Sequence, residues 1–231
     1  MLLDESDIET ENRKYIEQST TAVMNLNVAS VAIETLRMFA YESSFDTDDD
    51  VTILRLAIRV INDAGACGRC ALAGYYQPAI SQIRDIIEVS FLLDLFRRNP
   101  SKISEWRCAS DRDRKNKFKP IALREELDRL DGKSDLARKE AYEFYSTHGT
   151  HVTPHLLVIS PGLNTRIGPY PSKEMAIRIT YDLAKWLCGG AGYALSCLDT
   201  KRVTDAARSL SLTKQKHLFA TKWAAWRQSP Q

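Results

Sequence analysis

QPAISQIRDIIEVSFLLDLFRR, residues 77–98, decides how the rest of this chain is read. Pro78 suits a first helical position, Pro100 stops a helix, and Arg97 and Arg98 fall in a last turn, where the helix dipole favours cations. At about 100° per residue, Ile80, Ile87, Phe91 and Leu95 point one way while Leu92, Leu93 and Phe96 point elsewhere, so no clean polar face remains. A helix apolar nearly all round belongs at the centre of a domain. Arg84 and Glu88 nevertheless fall in the sector of Ile80, Ile87, Phe91 and Leu95. Buried charges persist only when they are paired or meet a ligand, so the stretch predicts a central helix that carries a buried polar centre.

Upstream, Ile8, Ile16, Val23, Leu26, Ile33 and Leu36 recur with a period of about 3.6 residues. No proline or glycine interrupts them, which predicts one long helix over 7–41. Ser43–Asp50 (SSFDTDDD) reads as a loop whose aspartates cap and charge the next N-terminus. It lacks the glycine and terminal glutamate that a calcium loop requires. A second helix over 51–73 begins with bulky residues and turns small at Ala64, Gly65, Ala66, Gly68, Ala71 and Ala73, with Gly74 as its natural stop. Small side chains let backbones approach, so this half is expected to cross the central helix or a second copy of the chain.

Downstream, residues 101–118 carry Ile103, Trp106 and the run DRDRKNKFK. Pro120 opens a short helix that Gly132 ends, and Ser134 can cap the next, which runs to about 147. The stretch 148–171 is rich in proline and glycine, and its two short apolar runs, 156–159 and 165–167, fit a small hairpin. From Ser172 a helix reaches about Leu198, and a final amphipathic segment ends in HLFATKWAAWRQ. The expected fold is all-α: a single helical domain over 1–231, a bundle of about seven or eight helices with an irregular or hairpin excursion around 148–171.

The 231 residues carry 32 Lys and Arg against 30 Asp and Glu, a net charge of +2, so no global field points to nucleic acid or membrane. The stretch 186–198 is too short to span a bilayer and reads as a core helix, which predicts no membrane partner. Five cysteines at 67, 70, 108, 188 and 197 follow no disulfide spacing, and the acidic N-terminus lacks the order of a signal peptide; both point to a cytoplasmic setting.

Cys67 and Cys70 form CGRC, a spacing used by redox dithiols and half zinc sites. Here it lies inside a helix among alanines, where reduced cysteine serves as a small core residue. His148, His151 and His155 cluster at a helix exit. They are candidates for acid–base work or loop anchoring, and a metal there would need an outside ligand such as Glu88; no metal and no cofactor is expected. Arg107, Arg112, Arg114, Lys115, Lys117 and Lys119 form a local basic patch, read either as a solvated face or as phosphate contacts for a nucleic acid.

The Arg84–Glu88 helix, the proline ending it, Trp106, the run YEFYSTHGTH from Tyr142 to His151 and the later IGP resemble a loosely defined group of uncharacterised bacterial all-helical proteins. In that group an Arg-x-x-x-Glu helix precedes a Tyr-Ser-His helix end. The resemblance implies that Arg84, Glu88, Tyr142, Ser146 and one of His148 or His151 meet in one polar pocket. There is a more distant similarity to the helical HEPN ribonucleases, from which this chain departs because no arginine precedes a histidine at their spacing. Two functions follow as expectations. The first is an intracellular helical interaction protein, a homo-oligomer or partner binder, joined through the small-residue half of the second helix or the Trp223 and Trp226 tail. The alternative is a phosphate-directed hydrolase, ribonuclease-like or nucleotide-directed, with a bacterial defence role by analogy. In it a His148 or His151 imidazole moves the proton, Arg84 stabilises phosphoryl charge, and Glu88 orients one of them.

Overall fold

The computed structural model describes residues 4–133, 136–151, 169–198 and 205–229. Among these there are ten helices and no strand: α1 (Ser6–Glu17), α2 (Thr20–Glu42), α3 (Asp48–Leu72), α4 (Tyr76–Arg98), α5 (Ser101–Cys108), α6 (Asp111–Lys117), α7 (Pro120–Asp131), α8 (Ala137–Gly149), α9 (Lys173–Cys197) and α10 (Ala206–Gln228). The all-helical expectation holds, but seven or eight helices was too few. The expected hairpin runs at 156–159 and 165–167, the Ser134 cap and His155 lie outside the described residues.

Two extra helices come from breaks that no proline or glycine announces. The long first helix divides at Gln18–Ser19, because Ser19 takes an extended backbone and its side chain accepts a hydrogen bond from Ala22 N at 3.2 Å, capping α2. Likewise Ser110 accepts from Asp113 N and starts α6 apart from α5. Other boundaries follow their local signals. Thr47 and Asp50 form a reciprocal capping box at α3. Gly132 ends α7 at φ 62°, and Ser172 caps α9. Pro78 is the third residue of α4, not the first, and costs no helical bond because first-turn N–H groups have no intrahelical acceptor.

Helices α4 and α9 pack against each other at the centre, with α3 bridging both. α5, α7 and α8 gather on α4, α1 and α2 on α9, and α10 on α2. Ile83, Ile86, Ile87, Leu93 and Phe96 of α4 are fully buried, which makes it the central helix its sequence predicts. The α4–α9 crossing is close at Gly190, where a Cβ would lie 2.6 Å from Ser90 Oγ.

Two buried asparagines pin the layers. Asn12 donates to the carbonyls of Ala71 (3.3 Å) and Leu72 (3.0 Å), the exposed end of the α3 ladder, and accepts from Tyr76 OH and Ser172 N, each at 3.0 Å. Asn25 accepts from Trp226 Nε1 at 2.7 Å and donates to Thr180 Oγ1 at 3.2 Å, joining α2, α9 and α10. Trp226 is therefore buried, and Trp223 fits over Gly192, where a Cβ would meet its ring at 2.8 Å. Of the two rings expected as a surface for assembly, Trp226 is taken up by the core and Trp223 packs against it partly buried. The small-residue half of α3 splits by face, with Ala64, Cys67 and Ala71 buried while Gly65 and Ala66 are exposed.

Candidate functional site

Arg84 and Glu88 lie one turn apart on α4, and Tyr142 and Ser146 one turn apart on α8, so two i, i+4 pairs face each other across the α4–α8 contact. Arg84 Nη2 donates to Glu88 Oε1 at 2.6 Å and to Tyr142 OH, and Arg84 Nε donates to Ser146 Oγ at 3.3 Å. Tyr142 OH donates to the same Glu88 oxygen at 2.7 Å, and the guanidinium carbon lies 5.2 Å from its ring centre. Burial, then the Glu88 carboxylate, push the Tyr142 hydroxyl above its ordinary range and keep its proton in place. Gly149 permits this approach, since a Cβ there would lie 3.0 Å from Ser81 N on the α4 backbone. Side-chain exposures of 22% for Arg84 and 25% for Glu88 place the pair at the rim and not in the core, correcting the sequence expectation of a buried centre.

The network continues onto α3 through Arg59 and Asp63. Arg59 forks onto Asp85 through Nε (2.6 Å) and Nη2 (2.7 Å), with Asp63 one turn along α3. The i, i+4 spacing of Arg59 and Asp63 is visible in the sequence, but nothing local shows that this pair meets Asp85.

The histidines stand apart. His148 is six residues beyond Tyr142, about 240° round the helix. Its half-buried ring packs on Phe144 at 4.7 Å between centroids, and its Nδ1 is buried without a hydrogen-bond partner among the described residues. His151 is exposed past the helix end, its backbone N–H bonded to Ser146 O at 2.9 Å. Among the described residues no hydrogen bond joins either imidazole to Arg84, Glu88, Tyr142 or Ser146. The structure thus brings four of the six candidate catalytic residues together and leaves His148 and His151 outside.

The basic patch is elsewhere and partly spent. Arg107 pairs with Asp48 (2.9 Å) and Asp49 (3.1 Å), Arg114 with Asp111 (2.6 Å) and Lys117 with Glu105 (3.4 Å). Arg112, Lys115 and Lys119 are exposed without a carboxylate partner among the described residues. Arg107 is tied to the first turn of α3, whereas Arg59 lies eleven residues along it, roughly 16 Å at the helical rise. Arg107 therefore stands well away from the Arg59 end of the Arg84 network.

The most buried charge of α4 is one that sequence reasoning missed. Asp94, 1% exposed, receives Arg97 at 2.6 Å, Arg98 at 2.9 Å and Arg138 of α8 at 3.9 Å. Arg98 and Arg138 also hold Asp131 of α7, and Arg138 holds Asp128. The hydrogen bond from Arg138, opposed by burial and reinforced by Arg98, brings Asp131 down to about 2. This clamp locks α7 and α8 onto α4. The interruption of FLLDLF by one aspartate, followed at i+3 and i+4 by arginines, was its sequence signal.

Burial pushes the thiols of Cys67 and Cys70 upward, so CGRC carries no activated thiolate and fits core packing. Among the described residues no group of three or more His, Cys, Asp or Glu is arranged to hold a metal ion, and no helix is long and apolar enough to cross a membrane. No protein-family model matches the chain, and no curated protein or solved structure matches it.

Proposed function

We propose that the protein is a helical interaction protein in which the Arg84 network is architecture, setting how α8 sits on α4. One observation carries this reading: Arg84, Glu88, Tyr142 and Ser146 hydrogen-bond to one another, with no imidazole among them. A second copy of the chain would sit on the outward face of α3, where Gly65 and Ala66 are exposed and a Cβ at Gly65 or Gly68 would meet nothing within 4 Å.

Sedimentation velocity across a wide concentration range should show self-association that Ala66→Arg abolishes. A single monomer boundary at the highest concentration sinks the homo-oligomer. In the same scheme Arg84→Ala lowers unfolding free energy by about 2 kcal/mol, less than for a fully buried pair because both partners reach solvent, and leaves association of the folded fraction unchanged.

A phosphate-directed hydrolase is the second reading. It is favoured by the Nη1 group of Arg84, which has no hydrogen-bond partner among the described residues and belongs to a side chain 22% exposed. Hydrolysis of a nucleotide or an RNA by the native protein, lost in Arg84→Ala while unfolding stays cooperative, would establish it over the first.

A further inference from the structure

Asp63 lies where α3 meets α4, its side chain 16% exposed. Its Oδ2 is wholly buried and has no hydrogen-bond partner among the described residues, and Arg59 Nε is 3.9 Å away. That guanidinium is already committed to both oxygens of Asp85. Across the network two guanidinium groups, Arg59 and Arg84, serve three carboxyl groups, Asp63, Asp85 and Glu88. An ionised Asp63 would keep a buried oxygen without a donor and set a second negative charge against Asp85. A protonated Asp63 instead donates to Asp85 and removes both costs.

We propose that Asp63 and Asp85 share one proton, and that this proton clasps α3 to α4. Burial is the largest influence on Asp63, followed by the hydrogen bond and the charge of Asp85; Arg59 opposes them, and the carboxyl is pushed up to about 7. Burial pushes Asp85 up as well, but hydrogen bonds from Arg59 and Asp63 and the charges of Arg59 and Arg84 outweigh it, and Asp85 is lowered. The groups facing the pair are Arg59 and Cys67 on α3, with Arg84 and Glu88 next along α4. The charge of α9 Asp182 acts on Cys67, whose thiol burial keeps protonated.

The sign follows from linkage. Asp63 binds its proton more tightly folded than unfolded, so its contribution is complete below about pH 4, the unfolded range. It is lost as pH rises through about 7.

The test is a carbon-13 titration of the aspartate carboxyls in the full chain, assigned through the backbone, paired with urea unfolding at about pH 5.5 and about pH 8.5. Asp63 should titrate near neutrality. The wild-type urea midpoint should fall between the two pH values, and Asp63→Asn, which keeps a donor to Asp85 but cannot ionise, should flatten that fall. Titration of Asp63 in the ordinary carboxylate range, or an unchanged slope in Asp63→Asn, overturns the shared proton. If Asp63→Asn fails to fold, the wild-type titration decides alone.

Discussion

Asp94→Ala should lower the unfolding free energy by about 3–5 kcal/mol, the largest single-residue effect in the polar framework. The aspartate is 2% exposed at its side chain and sits among Arg97, Arg98 and Arg138. Its removal leaves those guanidinium groups crowded together with only Asp128 and Asp131 to balance them. Urea unfolding at constant pH measures the loss, and Arg138→Ala in the Asp94→Ala background should add less than it costs alone, because the two share one network. A loss under about 1 kcal/mol would mean that the arginines relax into solvent and that the clamp contributes little.

Gly74→Ala is expected to cost about 3 kcal/mol from two sources. Gly74 sits at φ 82°, where it closes a Schellman turn: its N–H bonds to Ala71 O, and that of Tyr75 to Cys70 O. A Cβ there would also lie 2.6 Å from Tyr170 O, 2.7 Å from Tyr170 N and 2.9 Å from Ile8 Cγ2, and two of those atoms are backbone. The variant must displace the chain entering α9 or tilt α1, so amide exchange should accelerate in α1 before it does in α4. Gly189→Ala is the matched control. A methyl group at that position of α9 would meet nothing within 4 Å, and the substitution should stabilise by about 0.5–1 kcal/mol through helix propensity. If both variants destabilise equally, packing around Gly74 is looser than its distances state.

These sites show which levels of structure the sequence exposes. Gly74, Gly132, Pro120 and Ser172 mark helix ends through contacts with residues at most five positions away, and they were legible for that reason. The break at Gln18–Ser19 was not, because Ser19 can occupy a helix or cap one, and the choice falls to how α1 packs on α9. Within the candidate site, the one-turn spacing of Arg84 with Glu88, and of Tyr142 with Ser146, could be read directly. His148 shared a motif with Tyr142 and Ser146, yet helical rotation turns it toward Phe144.

The sequence by itself determined that this chain is helical, that residues 77–98 lie at its centre, and where most helices begin and end, because periodicity, capping and backbone conformation act over a few residues. The tertiary structure alone decided that Arg59 and Asp63 join Asp85, that three arginines converge on Asp94, and that the histidines stay apart from Arg84. Those outcomes depend on the crossing and rotation of helices distant in sequence, which are set by packing over whole helix faces.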